Sequence, residues 1–299
     1  TDWEAQGTRI SQNLLHDNHS PEGTPMAEGA MCSQDIFVEV SHGPTLIDNN
    51  IMLSRAAVRF ATEGVACVHN LMLGSFTMVG AGTDHSEEVE AGREPRYTPY
   101  HIQHRTEVAG FMTILHGDDR IYNNIFIQNY QPMEDAKEAK KFGFDNQVAG
   151  TEIFNEYPTY DEWIANFEMD KPANMFKLME HHFGHLPVWI NGNAYFNGAK
   201  AFKKETSNLV DDKNQATVEL EERDGEYFLK TNVYDLMEGF KAGIINSDIL
   251  GYAFEPEQRF ENPDGTEIIF TEDYLGGHRG VSAVPGPFVS KEDAAKRIW

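Results

Sequence analysis

The sequence predicts an all-β fold: a single right-handed parallel β-helix that carries loop and helical insertions and ends in a β-rich C-terminal cap. Three observations lead to this prediction. An Asn followed by apolar residues recurs along the chain, two of the recurrences lie twenty residues apart at Asn50 and Asn70, and the strands between them do not pair as hairpins. A β-propeller or a sandwich is the competing architecture, because both also alternate strands with Gly and Asn turns.

The recurring Asn residues have a predicted structural role. They stand at Asn13, Asn50, Asn70 and Asn124, and less clearly in the segment INGNAYFNG that starts at Ile190. In a stack of repeats, equivalent residues lie above one another, so amide side chains at a bend can form an internal ladder of hydrogen bonds. We therefore expect these amides to hold the bends together rather than to bind a ligand.

The pattern divides the chain into three parts. Residues 1–132 read as β-helix repeats that carry the active site, and residues 133–185 read as a helical insertion, since helical periodicity runs from Met133 to Lys141 and from Tyr160 to His182. Residues 186–299 read as the last repeat or repeats and a β-rich C-terminal region that packs on the stack. Within this part, the alternation in ATVELEERDGEYFLKTNVYD predicts a hairpin with its turn near residues 223–225.

Charge limits the classes of partner. The 299 residues include 48 Asp and Glu against 24 Lys and Arg, which gives a net charge of −24. Such a surface repels phosphate backbones and anionic lipids, so neither nucleic acid nor membrane is an expected partner. Cys32 and Cys67 do not make a disulfide framework, and the compartment stays open between the cytoplasm and secretion from a bacterium.

The first residues already lie inside a repeat. The chain begins with Thr1 rather than Met, and the arrangement around Asn13 matches the one around Asn50. We therefore expect a missing N-terminal segment or a second polypeptide to complete the β-helix. A homo-oligomer is also compatible with the sequence.

Two carboxylates share one position in the repeat. Glu39 lies eleven residues before Asn50, and Asp2 lies eleven residues before Asn13. Adjacent parallel strands are about 4.8 Å apart, so equivalent acids on neighbouring strands should have carboxyl groups roughly 5 Å apart. Retaining glycosidases place their two carboxyl groups about 5 to 5.5 Å apart, whereas inverting enzymes need about 6.5 to 9.5 Å. The spacing therefore points to Asp2 and Glu39 as a catalytic pair.

The same count of eleven residues adds two more residues to this column of equivalent positions. Arg59 lies eleven residues before Asn70 and Thr113 eleven before Asn124, and each stands between larger neighbours that would point into the core. A surface column of solvated ion pairs is the alternative reading. Arg59 next to Glu39 would favour the ionised carboxylate, which leaves open an exchange of roles between the two acids.

Aromatic and polar side chains near the two acids suit a sugar, because rings stack on its C–H faces and polar groups bind its hydroxyls. The candidate substrate-binding residues are Trp3, His42, Arg59, Tyr100, His101, His104, Glu107 and Asp119. A zinc site at His101 and His104 lacks a third ligand, and Asp118 with Asp119 either binds a cation or forms a polar turn. Glu107 stays open as a catalytic acid.

Several segments carry a family resemblance. DWEAQGTRISQNL, DIFVEVSHGPTLIDNN, RYTPYHIQHRTEVAG and GDDRIYNNIF resemble the pattern of glycoside hydrolase family 120, the β-xylosidases built on a right-handed parallel β-helix. The likeness covers Asp2 to Gln128 and continues weakly to FEPEQRFENPDGT. The insertion SPEGTPMAEGAMCSQ between the two catalytic repeats and the absence of the family's N-terminal repeats are departures from the pattern.

The resemblance implies an activity. It makes Asp2 the nucleophile and Glu39 the general acid/base of an exo-acting, retaining β-xylosidase that releases xylose from xylo-oligosaccharides without a cofactor. Two other classes remain: a polysaccharide lyase that uses Arg59 and cation-binding Asp118 and Asp119, and a non-catalytic carbohydrate-binding protein. A lyase would leave unsaturated, ultraviolet-absorbing ends, and a binding protein would tolerate the loss of either acid.

Overall fold

The computed structural model describes residues 1, 5–18, 34–39, 41–78, 97–101, 108–132, 146–167, 184–280 and 282–299, with the backbone alone for 97–101, 108–113 and 282. The strands are Thr8–Ser11 (β1), Leu14–Leu15 (β2), Gln34–Glu39 (β3), Thr45–Asp48 (β4), Ile51–Met52 (β5), Ala56–Ala61 (β6), Val65–Val68 (β7), Leu71–Met72 (β8), Ser75–Met78 (β9), Tyr97–His101 (β10), Val108–Thr113 (β11), Asp119–Tyr122 (β12), Ile125–Ile127 (β13), Val188–Asn191 (β14), Asn193–Phe196 (β15), Asn208–Asp211 (β16), Val218–Arg223 (β17), Glu226–Thr231 (β18), Ala242–Gly243 (β19), Tyr252–Ala253 (β20), Gln258–Arg259 (β21) and Ser282–Ala283 (β22). The helices are short: a 3₁₀ turn at Glu152–Phe154 and α-helices at Tyr160–Ala165 (α1), Val233–Leu236 (α2), Ser247–Leu250 (α3) and Lys291–Ala294 (α4).

Three parallel sheets form the centre of the molecule. The five-stranded sheet has the order β1-β4-β7-β12-β14, the six-stranded sheet β16-β15-β13-β8-β5-β2 and the three-stranded sheet β3-β6-β9. From β3 to β9 the chain adds one strand to the three-stranded, five-stranded and six-stranded sheet in turn, and then repeats the cycle. Residues that follow equivalent strands are therefore brought together at the bends between sheets.

The predicted fold class, a single right-handed parallel β-helix, is wrong. The strands of the described residues fall into seven separate sheets, and four of these are antiparallel pairs: β10-β11, β17-β18, β19-β22 and β20-β21. Strand pairing stops at bends where residues such as Asn49 and His69 take positive φ, so no sheet continues through them. Hairpin turns reverse the chain in the C-terminal third, as the predicted turn does at Asp224 and Gly225 between β17 and β18.

The space between the parallel sheets is filled by large apolar side chains. Phe76 contacts Phe60, Phe126 and Phe154 with ring centroids 5.6 to 5.9 Å apart, and Phe126 stacks on Tyr195 at 5.3 Å. All five rings are at most 1% exposed. Full burial of one such ring stabilises a fold by about 1.5 to 3 kcal/mol, so this aromatic core is a main source of stability.

The inward positions on β3 and β6 were predicted correctly where they can be seen. Val38, Val58 and Phe60 are buried, while Val40 lies outside the described residues.

The five-stranded sheet is covered on the face that points away from the aromatic core. On that face, Leu46 and Ala66 pack against residues of the 245–270 segment such as Phe260 and Ile268. The C-terminal part of the chain thus covers the outer face of this sheet.

The Asn ladder is confirmed at the bend that leads into the six-stranded sheet. The Nδ2 of Asn13 donates to Oδ1 of Asn50 at 2.9 Å, Asn50 to Asn70 at 3.0 Å and Asn70 to Asn124 at 2.9 Å. The ladder continues from Asn124 to Asn193 at 3.1 Å and ends on Glu205, whose Oε1 accepts from Asn193 at 2.9 Å. Burial raises the pKa of Glu205.

The three-part division of the chain stays a prediction. Of the expected helical insertion, residues 133–145 and 168–183 lie outside the described residues, and the rest contains the 3₁₀ turn and α1. Throughout the described part of the chain, no helix combines the length and apolar character needed to cross a membrane.

A candidate active site at the bend after the three-stranded sheet

Glu39 is the last residue of β3 and points away from the core. It is half-buried, between Val38, which faces inward, and the bend at Ser41. The amino group of Thr1 donates to the carbonyl of Phe37 at 2.9 Å, and the carbonyl of Thr1 accepts from the backbone N–H of Glu39 at 3.2 Å. Thr1 is therefore joined to β3 by the bond pattern of a neighbouring parallel strand.

The predicted column of four residues is wrong in its register. In the pairing of β3 with β6, Glu39 lies opposite Ala61, whereas Arg59 lies opposite Phe37 and its guanidinium stands 5.6 Å from the centre of the Phe37 ring. Thr113 lies in an antiparallel pair opposite Tyr97. Of the remaining members, Asp2 lies outside the described residues.

The error comes from the lengths of the bends. The strands β4 and β7 are in register with Thr45 opposite Val65, so Thr45 comes six positions after Glu39 but Val65 comes only four positions after Ala61. Counting eleven residues back from the ladder Asn therefore gives Glu39 in one repeat. In the next repeat it gives Arg59, two positions before Ala61, the residue that lies opposite Glu39. Because two positions restore the same face of a strand, Arg59 still points outward.

A buried acid–base pair holds the bend that follows Glu39. His42 Nδ1 is hydrogen-bonded to Oε1 of Glu63, and Oε2 of Glu63 accepts from the backbone N–H of Leu115 at 2.9 Å. His42 is 4% exposed and Glu63 2%. Burial by itself would lower the pKa of His42, but the carboxylates of Glu63, Glu255 and Asp118 raise it above its ordinary value.

Three glycines let the bends approach one another. A Cβ on Gly43 would meet the carbonyl oxygen of Gly64 at 2.2 Å, one on Gly64 would meet that of His42 at 2.4 Å, and one on Gly117 would meet that of Leu186 at 2.2 Å. All three take positive φ, and Gly43 precedes Pro44 through a cis peptide bond. Glycine at position 43, in the HGP sequence of residues 42–44, is thus required by the close stacking of the bends.

A second charged group lies behind this pair. Asp118 accepts hydrogen bonds from Arg120 and, at 2.8 Å, from the backbone N–H of Phe254. Burial raises the pKa of Asp118 to about 7, against the lowering effect of Arg120. Glu255 is half-buried, and burial together with Glu63 raises the pKa of its carboxyl group. The C-terminal segment thereby brings an acid to the His42 and Glu63 pair.

The structure brings together only part of the predicted site. Asp2, Trp3, His104 and Glu107 lie outside the described residues, and Tyr100 and His101 are described in backbone alone, within β10. Arg59 and Asp119 are buried, and the carboxyl group of Asp119 accepts from the backbone N–H of Val65 at 3.2 Å. The roles of all eight predicted binding residues stay predictions.

Two members of the charged cluster were missed by the sequence reasoning. Glu63 occupies the position after β6 that His42 occupies after β3, and comparing the bends by their Gly43 and Gly64 would have found it. Glu255 comes from FEPEQRF, more than two hundred residues away, and no local signal joins it to His42. Among the described residues there is no group of three or more His, Cys, Asp or Glu side chains that could hold a metal ion.

Comparison with known proteins identified one informative relative. No family model matches the chain, and no curated protein matches it. A solved structure described as the complex structure of XylC with xylose matches the whole chain with 31% sequence identity and a TM-score of 0.76. The chain spans 40% of that protein's length.

Proposed function

We propose that this chain carries the catalytic carboxylates of a xylan-acting glycoside hydrolase, a retaining β-xylosidase that releases xylose from xylo-oligosaccharides. The observation that carries the proposal is the similarity to XylC, which was solved with xylose, at 31% identity along the full length of this chain. Because the chain spans two fifths of that protein, its activity as an isolated polypeptide is part of the proposal.

The position of Glu39 supports its role as the general acid/base. It stands at the end of a strand on the outward face, and Thr1 pairs with the same strand through two backbone hydrogen bonds. Equivalent positions on neighbouring strands are about 4.8 Å apart, which suits the roughly 5 Å that double displacement needs. On this proposal Asp2 is the nucleophile.

The reaction proceeds in two steps. The Asp2 carboxylate attacks the anomeric carbon as the glycosidic C–O bond breaks, and Glu39 gives its proton to the departing oxygen. Glu39 then takes a proton from water, whose oxygen attacks the same carbon and releases xylose and the Asp2 carboxylate. The charges balance within the two acids, and no cofactor enters.

The register of β3 and β6 supports this assignment of the two roles. Arg59 was expected beside Glu39, where its charge would have favoured a permanently ionised carboxylate; instead it lies opposite Phe37. The His42 and Glu63 pair, bonded also to Leu115, anchors the bend three residues after Glu39. A fixed bend keeps the acid/base in place, which general catalysis requires.

Turnover of dinitrophenyl β-xyloside with and without azide tests the two roles. Glu39→Ala should keep the first step, since this leaving group needs little protonation, and azide should restore turnover and give the β-xylosyl azide. Asp2→Ala should lose activity on every substrate, and azide should give slow formation of the α-azide. Glu219→Ala, an acid 64% exposed on the β17-β18 hairpin, is the matched control and should keep full activity.

Three outcomes would overturn the proposal. If Glu39→Ala and Asp2→Ala both turn over xylosides like the unmodified protein, the pair is not catalytic. If the products absorb in the ultraviolet as unsaturated sugars, the protein is a lyase. If the unmodified protein binds xylo-oligosaccharides and hydrolyses none of them, it is a carbohydrate-binding protein.

A further inference from the structure

Five aromatic rings contact one another in a contiguous cluster beside the five-stranded sheet. We call this surface the aromatic platform; its members are Tyr160, Trp163, Phe167, Trp189 and Phe254. Trp163 is the central ring, with centroids 4.9 Å from Phe167, 5.4 Å from Phe254 and 6.3 Å from Tyr160. Trp189 lies 6.2 Å from Tyr160 with the two rings nearly parallel. All five rings are half-buried or exposed.

Helix α1, which carries two of the five platform rings, buries none of its own residues. Within α1, Tyr160 is 43% exposed and Ile164 39% exposed. Short isolated helices are unstable in water, and soluble proteins normally bury the apolar face of a helix. An apolar, ring-rich surface presented in this way is typical of a binding site.

The platform is nevertheless held firmly. Thr159 caps α1 through a reciprocal pair of hydrogen bonds with Glu162, and Lys204 bridges Glu162 to the carbonyl of Tyr157. Beneath Trp189, the guanidinium of Arg120 lies 4.4 Å from the ring centre. Rings that are fixed before binding lose little conformational entropy when a ligand arrives.

The platform lies along the same line of bends as the proposed active site. His42 precedes β4, Glu63 precedes β7, Asp118 precedes β12, and Trp189 lies in β14, the next strand of the five-stranded sheet. Three strand spacings separate β4 from β14, or about 14 Å. The backbone N–H of Phe254 is hydrogen-bonded to Asp118, and the carboxyl group of the next residue, Glu255, interacts electrostatically with His42 and Glu63. The platform and the proposed site are thus joined by one segment.

The charges around the platform favour a neutral ligand over a polyanion. Asp161 and Glu162 lie on α1 and Glu255 follows Phe254, while Lys204 is paired with Glu162 and Arg120 with Asp118. An excess of acids repels polyanions such as nucleic acids and uronic-acid polymers. Neutral sugar rings, in contrast, stack their C–H faces on aromatic rings and donate hydrogen bonds from their hydroxyl groups to carboxylates.

We propose that the aromatic platform binds the distal units of a neutral β-linked xylan chain whose terminal unit occupies the site at Glu39. This inference rests on the proposed function and extends it from short glycosides to long, unsubstituted chains. Since β14, which carries Trp189, lies about 14 Å from β4, the strand that follows the bend after Glu39, we expect a disaccharide held at Glu39 to fall short of the platform and an extended oligosaccharide to reach it.

Binding of xylobiose and xylohexaose to the Glu39→Gln protein, measured by titration calorimetry, tests the platform without turnover. In this background Tyr160→Ala should weaken xylohexaose binding by about threefold to tenfold, as expected for the loss of one stacked ring, and leave xylobiose binding unchanged. Tyr160→Phe should restore the affinity. Trp299→Ala is the matched control: Trp299 is 71% exposed, contacts Tyr227 and should affect neither ligand.

The outcomes separate this proposal from the one it rests on. Equal xylohexaose affinity with and without the Tyr160 ring, or a preference for polygalacturonate over xylohexaose, would overturn the platform and leave the proposed function standing. Full turnover by Glu39→Gln would overturn the proposed function, whereas chain-length-dependent binding that requires Tyr160 would still establish the platform. A Trp163→Ala variant, which lacks the central ring, provides a second test of the platform by the same measurement of xylohexaose affinity.

Discussion

Replacing Asn70 by alanine should destabilise the protein more than the same change at the end of the Asn ladder. Asn70 is fully buried and uses both of its side-chain functions: Oδ1 accepts from the N–H and the Nδ2 of Asn50 at 2.9 and 3.0 Å, and its own Nδ2 donates to the carbonyl of Ile47 at 2.8 Å and to Asn124 at 2.9 Å. Alanine removes all four bonds at once.

The expected loss of unfolding free energy depends on which buried groups keep a hydrogen-bond partner. The Nδ2 of Asn50 still donates to Ile10, and Oδ1 of Asn124 still accepts from the backbone N–H of residue 70. The N–H of Asn50 and the carbonyl of Ile47 each lose a bond inside the protein. A buried polar group left unsatisfied costs about 1 to 3 kcal/mol, so Asn70→Ala should lower the free energy of unfolding by about 2 to 6 kcal/mol.

Asn13 supplies the comparison within the same ladder. It is half-buried and donates only to the carbonyl of Ser11 and to Oδ1 of Asn50, which also accepts from the backbone N–H of Asn13. Its replacement by alanine should cost about 1 kcal/mol. Urea unfolding at pH 7, followed by circular dichroism, measures both variants. Equal destabilisation of the two, within about 0.5 kcal/mol, would refute the view that the interior of the ladder is stabilised by its reciprocal bonds.

Two further perturbations concern the bend after Glu39. Gly64→Ala should destabilise the fold by more than about 3 kcal/mol, because its Cβ would lie 2.4 Å from the carbonyl oxygen of His42. Gly239 has a similar φ and open space around it, so Gly239→Ala should cost about 1 kcal/mol. Equal losses of stability in thermal denaturation would show that close packing is not the cause. His42 has a pKa raised above its unfolded value of about 6.5, so its contribution to stability is complete below that pH and is lost as pH rises through the folded pKa. The unfolding free energy of the unmodified protein should therefore fall more steeply from pH 6 to pH 8 than that of His42→Gln, and parallel pH profiles would contradict the charged assignment.

The sequence predicted well what depends on local pattern. A recurring Asn before two apolar residues was enough to place Asn50 and Asn70 in one ladder, since any stack of strands repeats its bends above one another. Alternation likewise identified Val38 and Phe60 as inward residues, because the period of a strand is two whatever sheet it joins. These features do not depend on how the sheets are assembled.

Register was decided by the tertiary structure. The bends after β3 and β6 differ by two residues, so a fixed count from the ladder carried Arg59 to a place beside Glu39 that Ala61 in fact holds. Bend lengths are set by what each bend packs against, here the glycine contact between Gly43 and Gly64, and nothing in a single repeat reveals it.

The sequence by itself determined which residue types are available at the candidate site: a carboxylate at Glu39 and a histidine at His42, in a chain with a net charge of −24. Only the tertiary structure decided their partners and the number of sheets: Glu63 bonds His42 from 21 residues away, and the charge of Glu255, 213 residues away, acts on the same histidine. Contacts of that separation are stabilised by burial and charge in the folded state, and local periodicity carries no record of them.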